Sequence, residues 1–246
     1  MVDALAAKAA LRQEVWRSLA EAGVARFPGA EGRIPNFAGA EAAAERLRTT
    51  TAWEGARTVK ANPDAPQWPV RQRALEDGKT VYMAVPRLAA AHPFFLLDPD
   101  HLADPPRKAS SIKGASRSAR RIGVDELEPV DLVVAGCVAA GEDGARLGKG
   151  GGFSDLEFAL ASEAGLIGPG TVLATTVHDL QLRPAGAIPT VAHDFRLDLI
   201  VTPGRVIEVK RGGRRTTGRM QWDELDDAKI AEIPLLNRLL SERGRR

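Results

Sequence analysis

Cysteine is nearly absent from this chain: Cys137 is the only one in 246 residues, so no disulfide can form within it. The residue sits in an apolar run, where a buried, inert thiol and a reducing compartment are the natural expectation. Long hydrophobic runs are missing as well. No stretch approaches the ~18 uninterrupted apolar residues of a membrane helix. Lys8, Arg12, Glu14 and Arg17 interrupt the first turns, which excludes a secretory hydrophobic segment. A cytoplasmic protein without a membrane partner is expected. Charge of one sign is not in excess either, because 34 Lys and Arg against 32 Asp and Glu leave a formal net charge of +2, which demands no anionic polymer as partner. Neither an aromatic RNP pattern nor zinc-ligand spacing accompanies the basic residues, so a nucleic-acid partner is not the expectation, although the basic segments leave one open. What remains is an ordinary globular composition, 44% hydrophobic and 27% charged, of a length suiting one large or two small domains. Oligomeric state is not written in it.

Against this background one loop stands out. Gly144-Ala-Arg-Leu-Gly-Lys-Gly-Gly-Gly-Phe-Ser-Asp155 places five glycines, two cations and a carboxylate in twelve positions between apolar segments. Glycines accept positive φ and let backbone N–H groups approach an anion, Arg146 and Lys149 supply charge, and Asp155 can hold Mg²⁺. The run from Asp131 to Ala140 reads as a buried strand and Leu156 to Ala161 as helical, which would aim a helix N-terminus at the same anion. The familiar nucleotide motifs do not fit. A Walker A loop needs glycine where Asp143 stands and Ser or Thr where Gly150 stands, and G-x-G-x-x-G fails at Phe153. A flexible glycine turn is the plain alternative, and the flanking Arg, Lys and Asp weigh against it.

Asp3 is a candidate cap for a helix running to about Ala22, with Leu11, Val15 and Leu19 recurring every four residues. Lys8 and Arg12 are also four apart and share a face, able to grip one anion, whereas spacing alone favours a solvated basic face. The pattern predicts helices over 40–48 and 69–77, a turn over 62–66, and strands over 57–61, 80–85, 131–137, 171–177 and 197–201. This βαβ rhythm predicts an α/β fold with a mainly parallel sheet covered by helices on both faces, and ligands at its carboxyl strand ends, from one of which the glycine loop starts. Arg107 to Arg121 reads as a mobile basic loop. A second cluster, Lys210, Arg211, Arg214, Arg215 and Arg219, precedes a C-terminal helix over about 222–243, broken or kinked near Pro234. His178-Asp179 and His193-Asp194 raise an HD-type metal phosphohydrolase, but that chemistry uses a helical scaffold and more histidines, and these pairs flank strands.

The loop Arg146-Leu-Gly-Lys-Gly-Gly-Gly-Phe-Ser-Asp155 resembles the ATP-binding loop of the 5-formyltetrahydrofolate cyclo-ligase (methenyltetrahydrofolate synthetase) family. Leu156-Glu-Phe-Ala159, Asp131-Leu-Val-Val and the segment Val81 to Arg87 look closest to the methenyltetrahydrofolate synthase domain-containing branch. Lys8 with Leu11-Arg12, Gly78-Lys79 followed by Pro86-Arg87, and Ile188-Pro189 through His193-Asp194 and Asp198 are similar to the family's other motifs, in order, over roughly residues 5 to 210.

The resemblance implies a NagB/ribose-isomerase/CoA-transferase-like sheet in one domain over 1–246, with a helical extension from about 222. It implies conversion of 5-formyltetrahydrofolate and MgATP to 5,10-methenyltetrahydrofolate, ADP and phosphate. In that reading Lys8, Arg12, Arg146 and Lys149 neutralise phosphate charge, Arg146 and Lys149 acting on the transferring phosphoryl group. Backbone N–H groups over Gly148, Gly150, Gly151 and Gly152, with Phe153 beside them, cradle ATP; Asp155 and Asp194 hold Mg²⁺; Asp64, Phe153 and Ser154 meet the folate. The chain departs from the family at two places. Phe153-Ser154 stand where the family loop has Tyr-Tyr, and Asn62-Pro63-Asp64 where it places a Glu near the formyl-pterin contact. The reading left open beside the ligase is a non-catalytic nucleotide-binding or regulatory relative, associated with RNA through its basic loops.

Overall fold

The computed structural model describes residues 2–85, 88, 90, 92–191, 194–210, 222, 225, 230, 231 and 233–243; Pro86, Arg87, His193, Arg211, Arg214, Arg215 and Arg219, named above, lie outside them. In chain order, α1 (Val2–Glu21), α2 (Ala40–Arg48) and α3 (Thr51–Glu54) precede β1 (Thr58–Ala61), α4 (Trp68–Glu76), β2 (Thr80–Ala84) and β3 (Phe94–Leu97). Next come α5 (Pro106–Ala109), α6 (Ile112–Ser118), β4 (Arg120–Ile122), β5 (Leu132–Val134), β6 (Ala139–Gly141) and β7 (Arg146–Leu147). The remainder is α7 (Phe153–Glu163), β8 (Val172–Thr176), β9 (Leu182–Arg183), β10 (Leu199–Val201), β11 (Val206–Glu208) and α8 (Pro234–Arg243).

Eight strands form one sheet in the order β11-β10-β8-β5-β1-β2-β3-β4. Its centre, β10-β8-β5-β1-β2, is parallel, and β11, β3 and β4 add antiparallel edges. Central strands covered on both faces are buried along their length and mostly apolar, Lys60 of β1 being the charged exception, which is why they read as runs rather than alternations. Side chains still part by face. Leu132 and Val134 pack with Val70, Ala74 and Leu47 of the helices on one side, while Val133 and Leu173 pack with Phe158, Leu160 and Leu236 on the other. Each such aliphatic side chain withdrawn from water contributes about 1.5–3 kcal/mol. The mainly parallel sheet between helices is thus as the sequence predicts.

The apolar run 131–140 is not one strand. It divides between β5 in the large sheet and β6 in a second sheet of three strands, β7-β6-β9. The break falls at Gly136, where a β-carbon would lie 2.8 Å from Gln67 Oε1 and 2.9 Å from Ile34 Cγ2, so only glycine passes that gap. The glycine loop therefore leaves the β6–β7 hairpin, not a strand of the large sheet. Helix α1 packs Val15, Trp16 and Leu19 against Val138, Ala139 and Leu147 of the small sheet.

Two further expectations change. Helix α1 starts at Val2, so Asp3 lies inside its first turn and is not its cap. The segment 107–121 is ordered into α5, α6 and β4, because Ser111 caps α6 through the Gly114 N–H, Ala109 and Ala115 are buried, and Asp104 pairs with both Lys108 and Arg117. The expected break near Pro234 is present: Ile230 and Ala231 are helical, Ile233 is not, and Pro234 opens α8 at the first-turn position its missing N–H tolerates.

Candidate functional site

Docking of α1 on the small sheet carries its basic face to the glycine loop. Arg12 Nε donates to the Gly148 carbonyl at 2.7 Å, and Lys8 Nζ lies 2.5 Å from Asp194 Oδ2, which also accepts the Val191 N–H at 2.8 Å. The Lys8 and Asp194 side chains are only 8% and 9% exposed, so this is not a solvated face. Burial lowers the proton affinity of Arg12; Asp194 opposes that shift and Arg146 adds to it, which places all three groups in one electrostatic neighbourhood.

Behind the loop, Arg146 is buried. Its Nη2 donates to both Asp155 oxygens at 2.7 and 2.8 Å, Nη1 donates to the Gly136 carbonyl at 3.1 Å, and the guanidinium stacks 4.5 Å from the Phe195 ring centroid. Its Nε is buried without a hydrogen-bond partner among the described residues. Burial works against this cation, but Asp155 outweighs it and its proton affinity rises. Asp155 occupies the first turn of α7, where a carboxylate also meets the positive end of the helix dipole. Gly150 at φ +106° and Gly152 at φ +69°, the residue preceding α7, adopt the left-handed conformations that the loop demands. The first N–H groups of α7 have no acceptors within the helix and face the same end. Phe153 packs partly buried against the core there.

Across the opening, Lys149 Nζ stands 3.7 Å from Asp64 Oδ1. The loop bearing Asp64 is gripped from beneath by Arg71, which is fully buried and donates to the carbonyls of Asn62, Pro63, Asp64 and Ser110. Burial pulls Arg71 down to about 9, still cationic at neutral pH. Burial also raises the proton affinity of Asp64, while Lys149 and Arg71 draw it back.

A buried polar group under the loop escapes the sequence reading. Lys60 of β1 bonds Glu157 Oε2 of α7 at 2.8 Å, and Asn62 Nδ2 bonds the same oxygen at 3.2 Å and Ser154 Oγ at 3.3 Å. Asn62 Oδ1 accepts the Gly136 N–H at 3.2 Å. The signal was a lysine inside an apolar strand and a glutamate inside an apolar helix, each of which needs a partner when buried.

Of the residues singled out in the sequence, Lys8, Arg12, Arg146, Gly148, Lys149, Ser154, Asp155, Asp194 and Asp64 are thus linked around one loop. Asp155 and Asp194 each hold a cation of the protein, and among the described residues no three His, Cys, Asp or Glu side chains gather as metal ligands. Both bonds at Asp194 fall on Oδ2, and Oδ1 has no hydrogen-bond partner among the described residues. One or two carboxylates completed by water and phosphate oxygens are what Mg²⁺ accepts, so the donor set fits that ion. His178 is committed elsewhere: Nδ1 accepts the Leu180 N–H at 3.1 Å and the ring meets Phe37 edge-on at 6.0 Å. Cys137 is buried 3.1 Å from Thr175 Oγ1, and burial pushes its thiol up to about 11, an inert group as expected. No described helix is long and apolar enough to cross a membrane.

The sequence profile of the 5-formyltetrahydrofolate cyclo-ligase family matches residues 4–203. The mouse methenyltetrahydrofolate synthase domain-containing protein is 37% identical over 235 residues, covering 94% of this chain and 63% of its own length. The human protein of that name is 33% identical over 232 residues, 93% of this chain and 60% of its own length. This chain therefore spans about three fifths of the length of the curated relatives it matches. Among solved structures, 5,10-methenyltetrahydrofolate synthetase of Aquifex aeolicus superposes with a TM-score of 0.54 at 17% identity over 84% of this chain and 95% of that one, a likeness of fold.

Proposed function

The chain belongs to the 5-formyltetrahydrofolate cyclo-ligase family, a family of ligases, and on that premise we propose that it closes 5-formyltetrahydrofolate to 5,10-methenyltetrahydrofolate with MgATP, releasing ADP and phosphate. The chemical obstacle is a formamide oxygen that leaves poorly. Transfer of the γ-phosphoryl group to that oxygen lets the neighbouring nitrogen attack the formyl carbon and phosphate depart. Such a transfer needs positioning and charge neutralisation more than a protein nucleophile.

The observation that carries the proposal is the Arg12 bond to Gly148 across 136 residues of sequence, which seats a basic helix face on a glycine loop opening a helix. In this reading Lys149, the exposed cation of the loop, meets the phosphates directly, together with Arg12 and the N–H groups of Gly148 to Phe153. Arg146 acts from behind, holding Asp155 in place and adding a buried positive charge. Lys8 does the same for Asp194. Asp194 Oδ1 and Asp155 are the oxygens that would hold Mg²⁺, which when bound neutralises phosphate charge. Asp64, Phe153 and Ser154 face the folate, with Asn62 fixing the Ser154 hydroxyl. A reducing compartment such as the cytoplasm suits the unpaired Cys137.

The test mixes the purified chain with MgATP and 5-formyltetrahydrofolate and follows the near-ultraviolet absorbance of the methenyl product. ATP-dependent product growth is expected. No product, with nucleotide binding retained, would replace the ligase with the regulatory reading.

A further inference from the structure

Among the described residues, four cation–carboxylate pairs lie around the glycine loop, and they are not equivalent. Lys8–Asp194 at 2.5 Å, Arg146–Asp155 at 2.7 Å and Lys60–Glu157 at 2.8 Å are short and largely buried. Removing either member of such a pair leaves an uncompensated charge in a poor solvent, which is strongly destabilising. Lys149–Asp64 differs in both respects: it spans 3.7 Å, and its cation is 45% exposed. Of these four cations Lys149 is the most exposed and the most loosely held, and the one that can turn toward an arriving anion. Its partner projects from the loop after β1, which Arg71 holds rigidly, so Asp64 does not follow it.

We infer that Lys149 couples the two halves of the site: without ligand its ammonium lies against Asp64, nucleotide phosphates draw it away, and Asp64 is uncovered for a hydrogen-bond donor of the second substrate. This rests on the ligase reading proposed above. The first ligand to bind, from either side, must break the Lys149–Asp64 contact; the second finds it already broken. Coupling free energies are reciprocal, so each ligand tightens the other by the same factor. A loose pair with one partner open to solvent sets that factor at about two- to fivefold, and added salt reduces it. The raised proton affinity of Asp64 agrees with a carboxylate that seeks a donor once Lys149 has left.

The experiment measures, by calorimetry on the intact chain, the affinity of a non-hydrolysable ATP analogue with Mg²⁺ and that of 5-formyltetrahydrofolate, each with and without the other. In the wild type each ligand is expected to tighten the other about two- to fivefold. Asp64→Asn frees Lys149 and should by itself tighten the analogue by the same factor, whereas Lys149→Met should weaken the analogue and tighten the folate. These opposite signs are what a purely structural contact would not produce. Analogue affinity unchanged or weakened in Asp64→Asn, or wild-type ligands that bind independently, would overturn the coupling while leaving the ligase reading standing. A wild-type chain that binds neither ligand would remove both.

Discussion

Replacing Lys60 by methionine tests the buried polar group under the loop most directly. Lys60 and Glu157 side chains are 4% and 5% exposed and 2.8 Å apart, so solvent screens the pair little. Lys60→Met keeps the volume and removes the charge, leaving the Glu157 carboxylate, among the described residues, with the Asn62 amide at 3.2 Å. Breaking a buried pair by removing one partner costs about 3–5 kcal/mol. In a domain of this size each kcal/mol moves the melting temperature by about 2–4 °C, so a fall of roughly 6–20 °C is expected. The double variant Lys60→Met/Glu157→Leu removes both charges, and well-packed apolar replacements of buried pairs are often neutral or stabilising. It should therefore be more stable than Lys60→Met alone, although it carries one more substitution. Urea unfolding of the wild type, Lys60→Met, Glu157→Leu and the double variant, read through midpoints at unchanged m-value, gives the four free energies needed for the cycle. A Lys60→Met cost below about 1 kcal/mol, or a double variant whose loss equals the sum of the singles, would refute the argument that this pair is an internal charge dependent on its partner.

Arg12→Ala should weaken a non-hydrolysable ATP analogue at least about tenfold, and Arg12→Lys should recover part of that, because an ammonium lacks the guanidinium's fork; calorimetry checks both. Asp155→Asn leaves the buried Arg146 guanidinium without its carboxylate and should lower stability by about 2–4 kcal/mol in addition to any loss of turnover, so thermal unfolding with unchanged melting would contradict the geometry at that pair. Cys137, with its thiol pushed up to about 11, should resist iodoacetamide at pH 8 in the folded chain and react once urea unfolds it. The sign follows from the raised folded value: the neutral thiol favours the fold below pH 9, and that contribution falls as pH rises toward about 11. Rapid native-state labelling at pH 8 would refute it.

The layers of the fold were legible because they depend on local pattern. The helix over 40–48 and the strands near 58, 80, 132, 172 and 199 lie where apolar runs and turn residues place them. The division of 131–140 between two sheets was not legible, since both halves are equally apolar and the reason for the break at Gly136 is the approach of Gln67 and Ile34 from distant segments. The order in 107–121 was hidden similarly, because its hydrophobic contribution comes from alanines and its cations are held by Asp104 and, for Arg107 and Arg121, by the rings of Trp68 and Phe95. At the site, residue types revealed the glycine loop and the basic pair. Which carboxylate each cation takes is a property of the fold, and no spacing rule connects Lys60 to Glu157 or Lys8 to Asp194.

The bond between Lys8 and Asp194 has a consequence for how the protein is made. The two residues are separated by 186 positions, and a ribosome adding about 5–20 residues per second leaves roughly 10–40 seconds between their emergence. Throughout that interval α1 exists without the carboxylate it will hold, although β6 and β7, on which its apolar face packs, emerge before Asp194 does. A nascent chain halted before residue 194 carries the whole glycine loop and the whole basic helix, yet lacks the clasp between them. Nucleotide affinity measured on stalled chains of increasing length should therefore appear late, after the polypeptide that closes this clasp has cleared the exit tunnel.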